Sequence, residues 1–390
     1  MIHFVARIFQ IVGILGCLTS SIYYLVCVWG AASFLRGVLA GGGARATQNP
    51  PPVSILKPLK GTDPDIYECF RSHCLQDYPE YEVIFGVSDS KDPAIASVEQ
   101  LQREFPERAI RLIVSPNLLG ANVKVSNLEH MVQGARYEYL IVNDSDIRVE
   151  SDYLRRVITP LMDDRTGMVT CLYRGVAAPS LGSRLESLGI STDFCAGVLA
   201  ARLLEGGLRF GLGSTLAFRR RELKQIGGFK SLVDYLADDY ELGKRIAGLG
   251  LQVQLSDVVV ETHLPAYDLR GFLSHQLRWA RGVRDARAGG YLGLITTFGL
   301  TWAILAVVAA HAAPWAWALF GATLLLRLAV ALVVGKSVLQ DQQLFKHLWL
   351  LPLRDLIAVG VWIVSFAGHT VTWRGDRFEL KKGKLVRVSS

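Results

Sequence analysis

No two cysteines in this sequence stand in a CxxC spacing, and no histidine spacing completes a zinc set around them. The cysteines present are Cys17, Cys27, Cys69, Cys74, Cys171 and Cys195, and they read as buried, reduced thiols rather than a disulfide framework. No long basic run or basic-aromatic groove pattern occurs, which removes nucleic acid from the partners. No small-residue cleavage site follows the first apolar stretch, so that stretch reads as an anchor and not a removed signal peptide. No internal repeat is evident.

Charge is also sparse, at 20% of 390 residues, against 51% hydrophobic residues. With a mean hydropathy of +0.28, the chain is too apolar for an ordinary soluble enzyme and too charged for a pure membrane bundle. A water-facing domain joined to membrane segments satisfies both limits. The net charge of +7 suits a protein lying on an anionic membrane or handling a polyanionic substrate. Positive-inside loops would give the same excess.

Ile8 to Leu35 carries no charge and is flanked by Arg7 and Arg36, which is long enough to cross a bilayer. Gly41-Gly42-Gly43 through Pro50-Pro51-Pro52 reads as a linker. The texture then changes. Short apolar runs at Val53–Leu56, Tyr81–Val87, Ile110–Val114, Tyr139–Val142 and Met168–Leu172 alternate with helical patterns at Asp65–Gln76, Pro93–Phe105, Val123–Gln133 and Asp152–Met162. That alternation predicts an α/β domain whose mostly parallel sheet is covered on both faces. Apolarity returns as a predicted membrane hairpin, Tyr291–Ala310 and Trp315–Val334, and again at Leu348–Ala367, where Arg354-Asp355 interrupts it. The expected division is an anchor at 1–40, a linker at 41–52, a catalytic domain at 53–287, a membrane region at 288–370 and a basic tail at 371–390. One anchor plus three later crossings would leave the basic tail outside, against the positive-inside rule. The Arg354-Asp355 region is therefore expected to be re-entrant or interfacial.

The chemistry concentrates where strands end. Tyr139–Val142 runs into Asn143-Asp144-Ser145-Asp146. Residues i and i+2 of extended chain point to one side, so Asp144 and Asp146 can face one point. Two carboxylates on one point repel unless a cation joins them, and Mg²⁺ or Mn²⁺ commonly links carboxylates to substrate phosphates. An Asx turn closing the strand is the competing reading of an isolated pair. Asp89 ends the run Tyr81–Val87 in the same manner. Asp238-Asp239 precedes a helix, where an N-cap role competes with a chemical one. Arg278, Arg281 and Arg284 follow at i, i+3 spacing, with Trp279 beside the first. Guanidinium forks suit phosphate oxygens, and a basic helix lying on lipid headgroups competes. His263 and His275 lack any accompanying nucleophile or ligand spacing and read as structural.

The segments SILKPLKGTDP, GVSDSKDPA, NVKVSNL, NDSDIRV, GLGSTLAFRRREL, GGF, ADDYELG and HQLRW occur in this order across roughly residues 53 to 285. As a set they resemble the ceramide glucosyltransferase-like family of membrane-bound inverting glycosyltransferases, which includes bacterial hopanoid-associated members. The resemblance implies a GT-A fold, Rossmann-like and mostly parallel, with flanking transmembrane helices. It implies that Asp89 contacts the nucleotide, that Lys124 lies near the donor, and that Asp144 with Asp146 binds the metal and diphosphate. It makes Asp239 the catalytic base. Arg278 and Trp279 match the end of the QxxRW motif that closes over diphosphate and acceptor; His275 stands where that motif has Gln or Arg.

The implied cofactor is Mg²⁺ or Mn²⁺, and the implied partners are a UDP-sugar, a lipid acceptor and the bilayer. The implied reaction moves glucose or N-acetylglucosamine to a ceramide-type or hopanoid hydroxyl. The chain would be a multi-pass membrane protein with its catalytic domain facing the cytosol. Rival readings are a polyprenyl-phosphate glycosyltransferase, a processive polysaccharide synthase and a non-catalytic membrane scaffold.

Overall fold

The structure, a computed structural model, describes residues 2–40, 49–373 and 376–387. The Gly41-Gly42-Gly43 part of the expected linker lies outside them. The chain packs as two compact units that interleave in sequence. One comprises Met1–Leu39, Pro179–Gly206 and Ala266–Val371; the other comprises Ala40–Ala178, Gly207–Pro265 and Thr372–Ser390. This division differs from the expected 53–287 domain, because 179–206 and 266–287 pack with the apolar helices.

The second unit is built on an eight-stranded sheet. Its strands are β1 (Val53–Pro58), β2 (Tyr81–Val87), β3 (Ala109–Val114), β4 (Tyr139–Val142), β5 (Ile147–Arg148), β6 (Thr166–Val176), β7 (Leu216–Arg219) and β8 (Gln252–His263), in the order β3-β2-β1-β4-β7-β6-β8-β5. The first four run parallel, with Leu56 level with both Ile84 and Val142. Every residue of β1 and β2 is buried, as apolar strands covered on both faces require. Helices Ile66–Cys74, Ala94–Glu104 and Val123–Gly134 make the crossovers, close to the expected positions. β7 enters antiparallel to both β4 and β6, so the sheet is mixed. Within the expected basic tail, residues 376–387 form strands. Strands Asp376–Lys381 and Lys384–Arg387 form an antiparallel hairpin around Lys382-Gly383. Both turn residues have positive φ, 52° and 80°, as a tight two-residue hairpin turn demands.

The first unit is helical. Its opening helix, Ile2–Ala40, has 39 residues and, at the α-helical rise, is about 58 Å long. Among the described residues, four helices are long and apolar enough to cross a membrane: His3–Ala40, Leu181–Leu204, Pro314–Val338 and Leu344–Ser365. The expected Tyr291–Ala310 helix is instead a bent pair, Ala288–Thr297 and Gly299–Ala309, at 50°. Leu181–Leu204 had no counterpart in the sequence reading. The Arg354-Asp355 interruption has a structural cause. Arg327, only 2% exposed, donates to both Asp355 oxygens at 2.9 and 2.8 Å and to Asp193 Oδ1 at 2.5 Å. Buried charges persist where they are paired in this way.

Candidate active site

The parallel register brings the ends of β2, β1 and β4 to one edge of the sheet, so Asp89 and Asp144 leave from strands flanking β1. Asn143 fixes the end of β4. Its Nδ2 donates to Tyr153 Oη at 2.9 Å, the Ser214 carbonyl at 2.7 Å and Thr215 Oγ1 at 3.2 Å. Lys57, in the all-buried β1, donates from Nζ to the Asp144 carbonyl at 2.9 Å. Burial pulls the Lys57 ammonium down to about 8 despite the nearby carboxylates. A lysine inside an apolar strand was the available signal for this residue, which the sequence reading passed over.

Asp144 and Asp146 diverge in their partners. Asp144 Oδ1 lies 2.7 Å from Lys124 Nζ, and 40% of its side chain is exposed. Asp146 Oδ2 accepts from Thr262 Oγ1 at 2.6 Å. Asp146 is pushed up to about 6, first by burial and then by the negative charge of Asp144. Such a pair favours an added cation. Between them, Ser145 Oγ donates to Asp63.

The second acidic pair meets the first through one lysine. Lys124 Nζ, 2.7 Å from Asp144, also lies 3.2 Å from Asp238 Oδ2. Burial alone would lower the Lys124 pKa, but Asp144, Asp238 and Asp239 outweigh it and hold the ammonium above its usual range. Asn122 caps the helix that carries Lys124, accepting from the Val125 amide at 3.2 Å. The Asn122 Nδ2 donates to the Tyr235 carbonyl at 2.8 Å, just upstream of Asp238.

Asp239 does not act as the N-cap of its helix, Asp238–Gly248; that position belongs to Ala237. Its Oδ2 reaches out to accept from the Gly213 amide at 2.8 Å, while Oδ1 accepts from the Tyr240 amide at 2.7 Å. Burial and the Asp238 charge push Asp239 up to about 6. Two glycines make this reach feasible. A Cβ on Gly243 would fall 2.2 Å from the Gly211 nitrogen, so its absence lets the helix lie on residues 210–211. A Cβ on Gly213 would stand 3.1 Å from Asp144 Oδ2 and 3.2 Å from Asp239 Oδ2. These two carboxylates therefore share one small space.

Asp89 follows the end of β2. It is exposed, and its Oδ1 accepts from the Lys91 amide at 2.8 Å, an Asx turn at the end of β2. Arg278 and Trp279 belong to the helical unit, on helix Leu269–Ala286. Trp279 sits 5.2 Å from the His275 ring and 6.0 Å from Phe194. His275 Nδ1 lies 2.7 Å from Glu186 Oε1, and its ring stacks on Tyr267 at 5.5 Å. Arg281 and Arg284 are not phosphate ligands in waiting. Arg281 donates to the carbonyls of Thr370 at 2.5 Å and Ala367 at 2.8 Å; Arg284 donates to those of Ser365 and Gly368. Arg284 caps helix Leu351–Ser365 at its last carbonyl, and both guanidinium groups hold the turn that follows it.

Among the described residues, no group of three His, Cys, Asp or Glu side chains is arranged to hold a metal. Asp144 and Asp146 offer hard oxygen donors of the type Mg²⁺ and Mn²⁺ accept, and diphosphate oxygens could complete the shell. The donor set fits that ion class.

A mixed sheet of this order, with acidic groups at the ends of its parallel strands, has the GT-A fold. The same fold is found in the mannosyltransferase PcManGT from Pyrobaculum calidifontis, solved in complex with GDP-Man and Mn²⁺. That match has a TM-score of 0.55 and 20% identity, and covers 94% of this chain and 99% of that one. Residues 12–386 match the model of glycosyl transferase family 21, and the chain belongs to that family. It is 26% identical over 352 residues to ceramide glucosyltransferase 3 of Caenorhabditis elegans, covering 86% of this chain and 74% of the relative. It is 23% identical over 406 residues to ceramide glucosyltransferase 1 of the same organism, covering 98% and 82%. A ceramide glucosyltransferase of Komagataella phaffii is 32% identical over 148 residues, covering 36% of this chain and 29% of that one.

Proposed function

We propose that this glycosyltransferase moves glucose or N-acetylglucosamine, with inversion, from a UDP-sugar to the hydroxyl of a membrane lipid of the ceramide type. The observation that carries this reading is the single lysine, Lys124, that ties Asp144 to Asp238 beside Asp239. Asp144, read here as a donor-binding carboxylate, and Asp239, read as the base, both lie within 3.2 Å of where a Cβ on Gly213 would stand, which supports this reading. The lipid class rests on what the family relatives are named for.

In this mechanism the acceptor hydroxyl gives its proton to the Asp239 carboxylate. Its oxygen bonds to the anomeric carbon as the bond from that carbon to the diphosphate breaks, and the electron pair leaves with UDP. Positioned proton removal of this kind contributes ~10²–10⁴-fold. The Gly213 amide orients the base through Oδ2. Mg²⁺ or Mn²⁺, when bound by Asp144 and Asp146, supplies positive charge that stabilises the leaving diphosphate. Lys124 holds Asp144 in place and adds a second positive charge. Asp89 contacts the nucleotide, and Arg278 and Trp279 close over diphosphate and acceptor, as the family resemblance implies.

The sheet unit faces the cytosol in this reading, with its cysteines reduced. Cys69, Cys74 and Cys171 of that unit are buried free thiols. Its three stretches pack as one body, so 179–206 and 266–371 each leave and return on the same side of the bilayer. Within 266–371 that parity allows two crossings. The bent pair Ala288–Ala309 and Pro314–Val338 make them, and Leu344–Ser365, carrying Arg354 and Asp355, lies at the interface. Leu181–Leu204, which carries Arg184, Glu186, Asp193 and Arg202, lies there as well.

The test crosses UDP-glucose and UDP-N-acetylglucosamine with ceramide, a hopanoid polyol and polyprenyl phosphate, with and without EDTA, using detergent-purified protein. Metal-dependent product on ceramide, abolished in Asp239→Asn, supports the proposal. Product on the hopanoid alone moves the acceptor class. Full activity of Asp239→Ala on polyprenyl phosphate, which needs no base, overturns the role of Asp239. No UDP binding with Mn²⁺ or Mg²⁺ favours a scaffold.

A further inference from the structure

The hairpin Asp376–Arg387 does more than finish the fold. Its second strand carries hydrogen-bonding groups on both sides. One side pairs with Asp376–Lys381, where Glu379 stands opposite Val386 and Lys381 opposite Lys384. The other side meets the loop just before the acidic pair. The Leu385 amide donates to the Asp234 carbonyl at 2.6 Å, and the Leu236 amide donates to the Gly383 carbonyl at 3.1 Å. Tyr235 and Lys384 form an antiparallel bridge between these bonds. The Tyr235 ring is gripped by two cations, Lys384 and Arg245, each 5.3 Å from its centroid.

The gripped loop touches both halves of the site. Asp234 Oδ1 accepts from the Ala121 amide at 3.0 Å, and the Asn122 amide donates to the Val233 carbonyl at 2.7 Å. These residues start the helix of Lys124. Two residues past Leu236 the chain reaches Asp238 and then Asp239. The loop is thus held from one side by the Lys124 helix and from the other by the hairpin. Phe378, Leu380 and Leu385 are buried beneath the hairpin at 2 to 3% exposure, so it is seated and not merely adjacent.

We propose that residues 383–385 act as an added strand that positions the Asp238-Asp239 loop, making the hairpin Asp376–Arg387 a working part of the catalytic site. This rests on the reading of Asp239 as the base. None of the hairpin residues touches substrate in this account; they are positioning residues. A base needs its carboxylate placed to within a fraction of a hydrogen bond of the acceptor proton, and small displacements are costly. Donor binding also draws on Asp89 and Asp146, whose partners Lys91 and Thr262 lie outside the loop.

Leu385→Pro in the full chain is the discriminating variant. The Leu385 amide faces the loop and not the partner strand, so proline removes the bond to Asp234 and leaves the hairpin ladder in place. Leu385→Met keeps the amide and the buried bulk. Three readouts apply: turnover on the lipid acceptor, Mn²⁺-UDP affinity by titration, and hydrogen exchange of peptides containing the Gly213 and Leu236 amides. The expected result for Leu385→Pro is at least a tenfold loss of kcat, UDP affinity and donor KM within about threefold of wild type, and faster exchange at both amides. Leu385→Met should match wild type. Unchanged kcat with faster exchange at Leu236 overturns the proposal, as does a parallel loss of UDP binding and of the folded state. If wild type transfers sugar to no lipid, the functional reading fails on its own. The exchange comparison still decides, because the Gly213 amide reports whether Asp239 has moved; unchanged exchange there overturns the hairpin's role.

Discussion

Lys124 Nζ lies 2.7 Å from Asp144 Oδ1, which makes the lysine the hinge between the strand-end motif and the acidic pair. It is also the cation that lowers the pKa of Asp239, opposing burial and the Asp238 charge. Lys124→Met would remove the ammonium that pairs with Asp144 and Asp238 beside Asp239. Loss of a preorganised charge at a transferring group costs about 10²-fold or more in kcat. The second expected effect is directional: the pKa of Asp239 rises, so the acid limb of the pH profile moves to higher pH. A profile of kcat/KM for wild type and variant checks both. A variant with normal turnover and an unmoved limb would separate Lys124 from the chemistry.

The wild-type profile follows from the same carboxylate. Asp239 must be ionised to accept a proton, and its pKa is pushed up to about 6. Activity should therefore be lost as pH falls through about 6 and be fully present above it. Removing the Asp238 charge takes away the second-largest cause of that upward shift. In Asp238→Asn the limb should accordingly move to lower pH, opposite in sign to Lys124→Met. Limbs that shift together, or not at all, would assign the titration to another group.

Gly213 offers a steric test. An alanine Cβ there would meet Asp144 Oδ2 at 3.1 Å and Asp239 Oδ2 at 3.2 Å, and both contacts are tighter than ordinary packing. The φ of Gly213 is not positive, so the backbone itself tolerates alanine. Gly213→Ala should keep its thermal midpoint near wild type yet lose about tenfold or more in kcat, the scale expected when a reacting group is displaced by a fraction of an ångström. Measuring turnover alongside thermal unfolding separates displacement from unfolding.

The parallel half of the sheet was legible because doubly covered strands are mostly apolar: β1 and β2 have no solvent-facing positions to blur the pattern. Asp144, Asp146 and Asp239 were legible because carboxylates at strand and helix ends are locally conspicuous. Their joining was not, since Lys124 reaches Asp238 across more than a hundred residues. Leu181–Leu204 escaped notice because Arg184, Glu186, Asp193 and Arg202 dilute its apolarity, although Glu186 faces His275 and Asp193 faces Arg327. The hairpin Asp376–Arg387 read as a basic tail for a similar reason. Lys381, Lys382 and Lys384 mask the alternation of Phe378, Leu380 and Leu385, which are the buried positions. Arg281 and Arg284 show the reverse error. Their spacing was real, but the turn they hold, at Ala367 and Gly368, lies far along the chain.

The buried pair Arg327 and Asp355 supplies a stability test in the helical unit. Arg327 Nε and Nη2 meet the two Asp355 oxygens at 2.9 and 2.8 Å, a bidentate fork, and Asp193 lies 2.5 Å from the same guanidinium. Breaking such a pair from one side strands the partner charge and costs about 3–5 kcal/mol, whereas replacing both sides by apolar groups is often neutral. Arg327→Met strands Asp355 and leaves Asp193 with Arg354 alone, at 3.6 Å, so it should be the most damaging single change. Asp355→Leu leaves Arg327 still paired with Asp193, whose side chain is 36% exposed, and should cost less. The double variant Arg327→Met, Asp355→Leu should recover part of the Arg327→Met loss. Thermal unfolding of the four proteins in one detergent gives the cycle. Additive losses would mean that the two residues stabilise the helices independently, and that the fork contributes no coupling of its own.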